Sequence, residues 1–477
     1  MLFRLRVVLA LVFIMALTAS FLGLLAQPLA WVEFVPAVLA VNLLVVGILV
    51  ILTAILGRAY CAVLCPLGIF QDIVFWFKKH LRKKHVKFHY RTEAVRLRYG
   101  ILAALLVAWV LGFYFLPALL DPYSIYGRMV TNLLAPLWQQ GFNQAATLAN
   151  SHAWGLWEKY ELVFKGTLAM AVALGYFIFL TILAWRYGRL YCQTICPVGT
   201  MLGTISRFSW LQLNINADKC VGCGLCERHC RSSCVDVKHH KIDSSRCVLC
   251  MECMAACPAK AINYSHPAKA LATEPLLQAE QGPLLSRRAL LLTAGTTLGT
   301  MVVGLARGKS NLSALAAPQE KAVIPPGSTT KQQFLQKCTA CQLCINKCPE
   351  QVLKPATTEY GIFGKGKPVL DYRHGYCNFY CNTCSSVCPT GAIGSLALQA
   401  KQTVKIGVAN YDMHSCLILK EGVFCGNCAL HCPTEAITME QMGDLHLPRV
   451  NETKCIGCGS CEYHCPATPK AMHVEGK

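Results

Sequence analysis

The chain has 477 residues, of which 54% are hydrophobic and only 15% charged, a balance too apolar for an ordinary soluble enzyme that places part of the chain in lipid. A formal net charge of +20 would suit nucleic acid, but the basic residues gather beside apolar segments, where lysine and arginine set membrane orientation, so no nucleic-acid partner is expected. The 29 cysteines are odd in number and sit in tight Cys-x2-Cys runs, which argues for metal ligation over a disulfide framework.

Four apolar stretches, Val7 to Ala26, Phe34 to Leu56, Ile101 to Leu120 and Gly166 to Trp185, each match the ~20 residues a helix needs to cross the hydrocarbon core. The segment from Lys78 to Arg98 holds nine Lys or Arg against one Glu, which puts it and the N-terminus in the cytoplasm. The first stretch does not read as a secretory signal, because no small-residue cleavage site follows it and three further apolar stretches do.

An internal repeat sits on this half. The second stretch is followed by Gly57-Arg58-Ala59-Tyr60-Cys61 with Cys65-Pro66, and the fourth by Gly188-Arg189-Leu190-Tyr191-Cys192 with Cys196-Pro197. A continuing helix would put Cys61 and Cys65 on one face, and Cys192 and Cys196 likewise. Paired by the repeat, the four thiols are candidates for a further cluster or a labile dithiol pair; inert helix-end packing is the alternative.

Beyond Trp210, Cys220, Cys223, Cys226 and Cys230 are followed by Cys247, Cys250, Cys253 and Cys257. This is the bacterial two-cluster ferredoxin spacing, in which the fourth cysteine of each run ligates the other cluster. One set is expected to be Cys220, Cys223, Cys226 and Cys257, the other Cys247, Cys250, Cys253 and Cys230. Two complete four-cysteine runs exceed what a zinc ribbon needs. Cys230 is followed by Arg231 where proline is usual, and Cys234 is read as a neighbour of the cluster and not a ligand.

Next come Ser286-Arg287-Arg288, a weakly apolar run to Ala306, and Ala314-Leu315-Ala316, the pattern of a twin-arginine export signal placed inside the chain or of a fifth span. Four more runs follow: Cys338, Cys341, Cys344 and Cys348; Cys377, Cys381, Cys384 and Cys388; Cys416, Cys425, Cys428 and Cys432; Cys455, Cys458, Cys461 and Cys465. They supply ligands for four clusters, with adjacent and nested exchange of fourth cysteines both open. Disulfides suit thiols at this spacing in repeated Cys-Pro motifs far less well than iron does.

Residues 1 to about 265, with two Tyr-Cys-x3-Cys-Pro motifs and a two-cluster module, resemble the NapH membrane ferredoxins. Residues from about 285 onward, with paired arginines and a Cys-x8-Cys insertion in the third run, resemble the NapG and MauM ferredoxins. The resemblance implies a fusion of two subunits that act together as a quinol dehydrogenase, with the membrane quinone pool on one side and a periplasmic cytochrome or reductase on the other. No apolar stretch carries a histidine pair and no Cys-x2-Cys-His occurs, so haem is not expected; no dinucleotide or phosphate-loop motif occurs either.

The expected fold is an α-helical membrane domain of four spans and a fifth, with two small α+β ferredoxin-like modules. Residues 1–210 are the membrane domain and 211–270 a cytoplasmic module with two 4Fe-4S clusters. Residues 271–331 are linker and signal, and 332–477 an exported module with four, all held at a bacterial inner membrane. Electron transfer is the expected function; redox sensing or maturation of a periplasmic enzyme is the alternative.

Overall fold

The computed structural model describes residues 2–25, 29–81, 88–111, 115–151, 166–266, 322–361, 364–443 and 445–477. The first half is helical: α1 (Leu2–Leu22), α2 (Phe34–Leu39), α3 (Leu43–Leu56), α4 (Tyr60–Val63), α5 (Pro66–Leu81), α6 (Val95–Val110), α7 (Phe115–Leu120), α8 (Pro122–Met129), α9 (Ala135–Ser151), α10 (Thr167–Tyr187), α11 (Leu190–Thr194) and α12 (Pro197–Ser206).

The expectation of four spans and a fifth is corrected here. Among the described residues two helices are long and apolar enough to cross a bilayer, Phe3–Leu22 and Thr167–Tyr187. The stretch from Phe34 to Leu56 is cut where Val41 turns left-handed, at φ 57°, and the Asn42 side chain caps the next helix by accepting from the Val45 N–H. That leaves α3 with 14 residues, about 21 Å at 1.5 Å per residue. The stretch from Ile101 to Leu120 is likewise shared between α6 and the short α7. The expected fifth segment lies outside the described residues.

α8 is capped by Asp121, whose carboxylate accepts from the Ser124 N–H at 2.9 Å and hydroxyl at 2.6 Å. It runs on through a π-turn, Val130–Leu134, into α9. Each residue of α8 is buried, and its two faces serve different cores. Ile125 and Met129 pack with Cys61, Cys65, Cys192 and Cys196. Tyr123, Tyr126 and then Val130 pack with Phe21 of α1 and with Phe334, Leu343 and Cys344 of the C-terminal part.

The segment after Trp210 is a small α+β unit. Strand β1 (Gln212–Ile215) pairs antiparallel with β4 (Ile262–Ser265), and β2 (Val235–Asp236) with β3 (Lys241–Ile242). Helices α13 (Leu225–His229) and α14 (Glu252–Ala256) carry the third cysteine of each run. The C-terminal part repeats this scheme with β5 (Leu353–Pro355) on β6 (Pro368–Leu370), β7 (Gly407–Tyr411) on β10 (Met472–Gly476), and β8 (Ile437–Met442) on β9 (Leu445–Val450).

α1 touches both units. Phe3 packs against the core of the 211–266 unit. At the other end Phe21 lies in the C-terminal core, its carbonyl accepts from Asn346, and the Leu25 carbonyl accepts from Lys347 at 2.6 Å.

Candidate iron-sulfur centres

The cysteine runs share a backbone device. In Cys220–Cys223, Cys247–Cys250, Cys338–Cys341 and Cys455–Cys458 the residues just before and just after the second cysteine are left-handed. These are Gly222 and Gly224, Leu249 and Met251, Ala340 and Gln342, and Gly457 and Gly459. Left-handed geometry costs a non-glycine residue ~1–2 kcal/mol, so its recurrence with Leu, Met, Ala and Gln shows the loop being bent to one shape. Successive N–H groups then turn toward the concave side, a nest that favours an anionic group.

The described geometry brings the cysteines into sets of four. Cys220, Cys223, Cys226 and Cys257 line one pocket, Cys377, Cys381, Cys384 and Cys348 another, and Cys416, Cys425, Cys428 and Cys465 a third. The complementary sets lie within electrostatic reach of one another: Cys253 with Cys247, Cys250 and Cys230; Cys344 with Cys338, Cys341 and Cys388; Cys461 with Cys455, Cys458 and Cys432. Among the described residues each set thus takes its fourth thiol from the adjacent run, and these sets are not nested. Among the described residues no three Cys, His, Asp or Glu side chains close on a point as one metal ion would require. A polynuclear cluster holds its thiolates farther apart, around a hollow, which fits these sets. Burial pushes the Cys338 thiol up to about 11 and that of Cys341 up to about 12. Without iron to displace the proton they are neutral and inert.

Cys234 is fully buried, with its Sγ 3.6 Å from that of Cys230, and it also reaches Cys247. It touches two members of one set without completing a new one.

The repeat in the helical half closes into a fourth kind of site. Arg58 donates to the Cys192 carbonyl at 3.1 Å, and Arg189 to the Cys61 carbonyl at 2.8 Å, so each motif's arginine crosses to the other motif. Two glycines permit the approach: a Cβ on Gly68 would stand 2.5 Å from the Cys61 carbonyl, and one on Gly199 2.2 Å from that of Cys192. Cys61, Cys65, Cys192 and Cys196 share one buried core with Cys250 of the neighbouring unit. The helix does not continue across Cys61 to Cys65, because Pro66 starts a new one and cannot donate to an uninterrupted ladder. Cys196 instead caps α12, its sulfur accepting from the Gly199 N–H at 3.3 Å.

Donors converge on these sulfurs: Gln71 on Cys192 at 3.2 Å and Arg58 on Cys61 at 3.6 Å. Arg189 is paired with Asp72, whereas among the described residues fully buried Arg58 has no carboxylate partner. A buried cation needs a counter-charge, and the thiols facing Arg58 are Cys61, Cys192 and Cys196, with Cys247 of the neighbouring set also within reach. Sequence reasoning missed Gln71, Glu33 and Asp72. Glu33 accepts from the Tyr60 hydroxyl of the first motif, and Asp72 joins Arg6, Arg189 and Arg231. The signal available for Asp72 was an acid in an otherwise apolar stretch of α5.

A family model described as a 4Fe-4S dicluster domain matches residues 337–392 and 423–468, and a 4Fe-4S binding domain matches 240–263. A second 4Fe-4S binding domain model matches 38–84 and 168–216, one match on each half of the repeat. The methylamine utilization ferredoxin-type protein MauM of Methylobacillus flagellatus is 32% identical over 36% of this chain and 75% of its own length. The chain belongs to this ferredoxin-type family. NapG of Escherichia coli, another ferredoxin-type protein, is 32% identical over 36% of this chain and 77% of its own length. The candidate electron transport protein YccM of Escherichia coli is 24% identical over 47% of this chain and 55% of its own length. This MauM- and NapG-type ferredoxin carries several 4Fe-4S clusters and serves electron transfer.

Proposed function

We propose that the chain is the electron-transfer component of a membrane-bound quinol dehydrogenase, passing electrons from the quinone pool to a periplasmic oxidoreductase. The observation that carries this reading is an apolar groove of about 570 Å³ between α1 and α5. Phe3, Val7, Leu11, Trp76 and Phe77 line it, and Arg6, Asp72 and Arg231 close one end. Apolar walls with a few convergent polar groups are the make-up of a small-molecule site. Burial alone would raise the Asp72 carboxyl, but Arg189, Arg231 and Arg6 hold it well below the ordinary range, so it stays an anion able to accept from a hydroxyl. Arg231 follows Cys230 in the chain, which sets the polar end beside a four-cysteine set. A quinol there would release two protons and two electrons to become a quinone, the electrons leaving one at a time to thiolate-held iron.

In this reading residues 1–210 are a NapH-like domain fused to the MauM- and NapG-type part, in a bacterial inner membrane. The 211–270 module faces the cytoplasm, and the 332–477 module is exported after the paired arginines of the 271–331 segment. The 24 cysteines of the six runs hold six clusters. The two ends of α1 support this sidedness: Phe3 and Phe21 are about 27 Å apart at 1.5 Å per residue, close to the ~30 Å hydrocarbon core.

Menaquinol added to the anaerobic, quinone-free protein should bleach its cluster absorbance. Trp76→Ala combined with Phe77→Ala should slow that bleaching while leaving reduction by dithionite intact. A protein that dithionite reduces and no quinol does would sink the dehydrogenase reading.

A further inference from the structure

We propose that α8 is an electron bridge that joins the four-thiol core to the C-terminal module directly, so that electrons cross between the two modules within one chain and without a diffusing carrier. The inference rests on the proposed reading of the cysteine sets as cluster ligands, and adds a path between them.

The helix presents opposite faces to the two sites. Ile125 and Met129, four residues apart, share the core of Cys61, Cys65, Cys192 and Cys196. Tyr123 and Tyr126, with Val130 one turn further on, point to the other side and share a core with Cys344, against which Cys338, Cys341 and Cys388 pack. Contact on that side reaches the backbone. A Cβ on Gly127 would stand 2.6 Å from the Cys341 carbonyl. Arg128 donates to the carbonyls of Thr339 at 3.3 Å and Ala340 at 3.2 Å, both within the Cys338–Cys341 loop. Asn132 donates to the Gln342 side chain at 2.6 Å. Tyr123, fully buried, lies within electrostatic reach of Cys341 and Cys388 on one side and of Glu33 on the other. Glu33 in turn accepts from Tyr60, next to Cys61.

Among the described residues, then, what separates the four thiols from the nearest C-terminal set is one helix, ~10–12 Å across with its side chains. The hydrocarbon core is ~30 Å thick, so thiols held near one face would on their own leave most of it uncovered. Inward docking of the C-terminal module on α8 removes that gap. The sets continue on both sides. Cys250 lies in the four-thiol core, and the Cys377 N–H donates to the Cys458 carbonyl at 2.8 Å, joining the two C-terminal pairs. Each transfer across α8 would move one electron, lost by iron that Cys61, Cys65, Cys192 and Cys196 would hold and gained by iron that Cys338, Cys341, Cys344 and Cys388 would hold, with no proton or covalent bond changed. Electrons enter from quinol or an applied reductant and leave to a periplasmic one-electron acceptor.

The test uses the full chain, purified without oxygen, stripped of quinone and placed in liposomes with the reductant on the cytoplasmic side alone. Three quantities are read: iron per chain, magnetic coupling between reduced clusters, and bleaching of the C-terminal clusters. Expected are roughly 28 iron atoms, four for each of seven sets, a coupled signal, and bleaching that does not require added menaquinone. Gly127→Val, which forces the Cys341 loop off the helix, should lose coupling and quinone-free bleaching yet keep its iron; Gly141→Val, in open space on α9, should change neither. A full iron count with no coupling, and bleaching only with menaquinone, overturns the bridge while the dehydrogenase reading stands. Roughly 24 iron atoms with four titratable membrane thiols overturns the bridge by removing its near end, leaving the six-cluster assignment intact.

Discussion

Substitution of Gly199 by alanine probes the crossed-arginine site. The new methyl would lie 2.2 Å from the Cys192 carbonyl oxygen and 2.9 Å from Arg58 Nη2. Ordinary non-bonded contact begins near 3.5 Å, so relief needs a shift of about 1 Å. The oxygen is backbone and already accepts from Arg58 at 3.1 Å, so it cannot turn aside alone. Overpacking of this kind costs ~1–3 kcal/mol, and alanine recovers at most ~1 kcal/mol of helix propensity over glycine. A net loss of about 1–2 kcal/mol is expected, concentrated where Arg58 meets the thiols. Gly68→Ala, facing the Cys61 carbonyl at 2.5 Å, should behave alike, while Gly141→Ala should be neutral or gain ~0.5–1 kcal/mol. Thermal unfolding in detergent and iron per chain measure both effects: a lower midpoint and roughly four fewer iron atoms. A Gly199→Ala protein as stable and as iron-rich as Gly141→Ala would refute the reasoning.

Arg58→Met should cost the membrane site its iron, about four atoms per chain, because the counter-charge to the thiolates is gone; unchanged iron in anaerobic protein would show that the arginine is structural only. Cys234→Ser should retain all iron, whereas Cys230→Ser should lose one cluster, and iron analysis with electron paramagnetic resonance separates the two. For Asp371, burial alone would raise the carboxyl, but hydrogen bonds from Arg373 and Lys354 hold it well below the ordinary range. Its stabilisation is therefore present above the unfolded value, ~3.9, and fades as pH falls below that. Urea midpoints of wild type and Asp371→Asn should differ at pH 7, and the difference should begin to shrink below about pH 4 without vanishing at pH 3; a constant difference would exclude the carboxylate as the cause.

The cysteine spacing made the sets of four legible, since Cys-x2-Cys-x2-Cys-x3-Cys carries its chemistry within a dozen residues. What spacing could not carry was partner choice: Cys348 lines a pocket with Cys377 and not with its own run, and that depends on where β5 and β6 place the two runs. The spans misled for a similar reason. Hydropathy sees Phe34 to Leu56 as one stretch, while the break is set locally by the left-handed Val41 and the Asn42 cap on the next helix. The role of α8 was hidden because Pro122–Met129 mixes Ser124, Gly127 and Arg128 with apolar residues and shows no span-like pattern, and its partners lie about 60 and 210 residues away in the chain.

α1 works as a tie rod. Its first turn is seated against the 211–266 unit, its last turn is fastened to Asn346 and the residues just beyond it to Lys347, so both units share one reference. A single inserted residue would rotate one seat by about 100° relative to the other, and neither unit can swing without dragging its opposite number. While both seats hold, electron flow is not gated by a swinging domain, as it is in carriers on tethers. Its throughput is set by fixed spacings and by the potentials of its centres, so any switching has to come from outside the chain, through the supply of donor or the docking of acceptor.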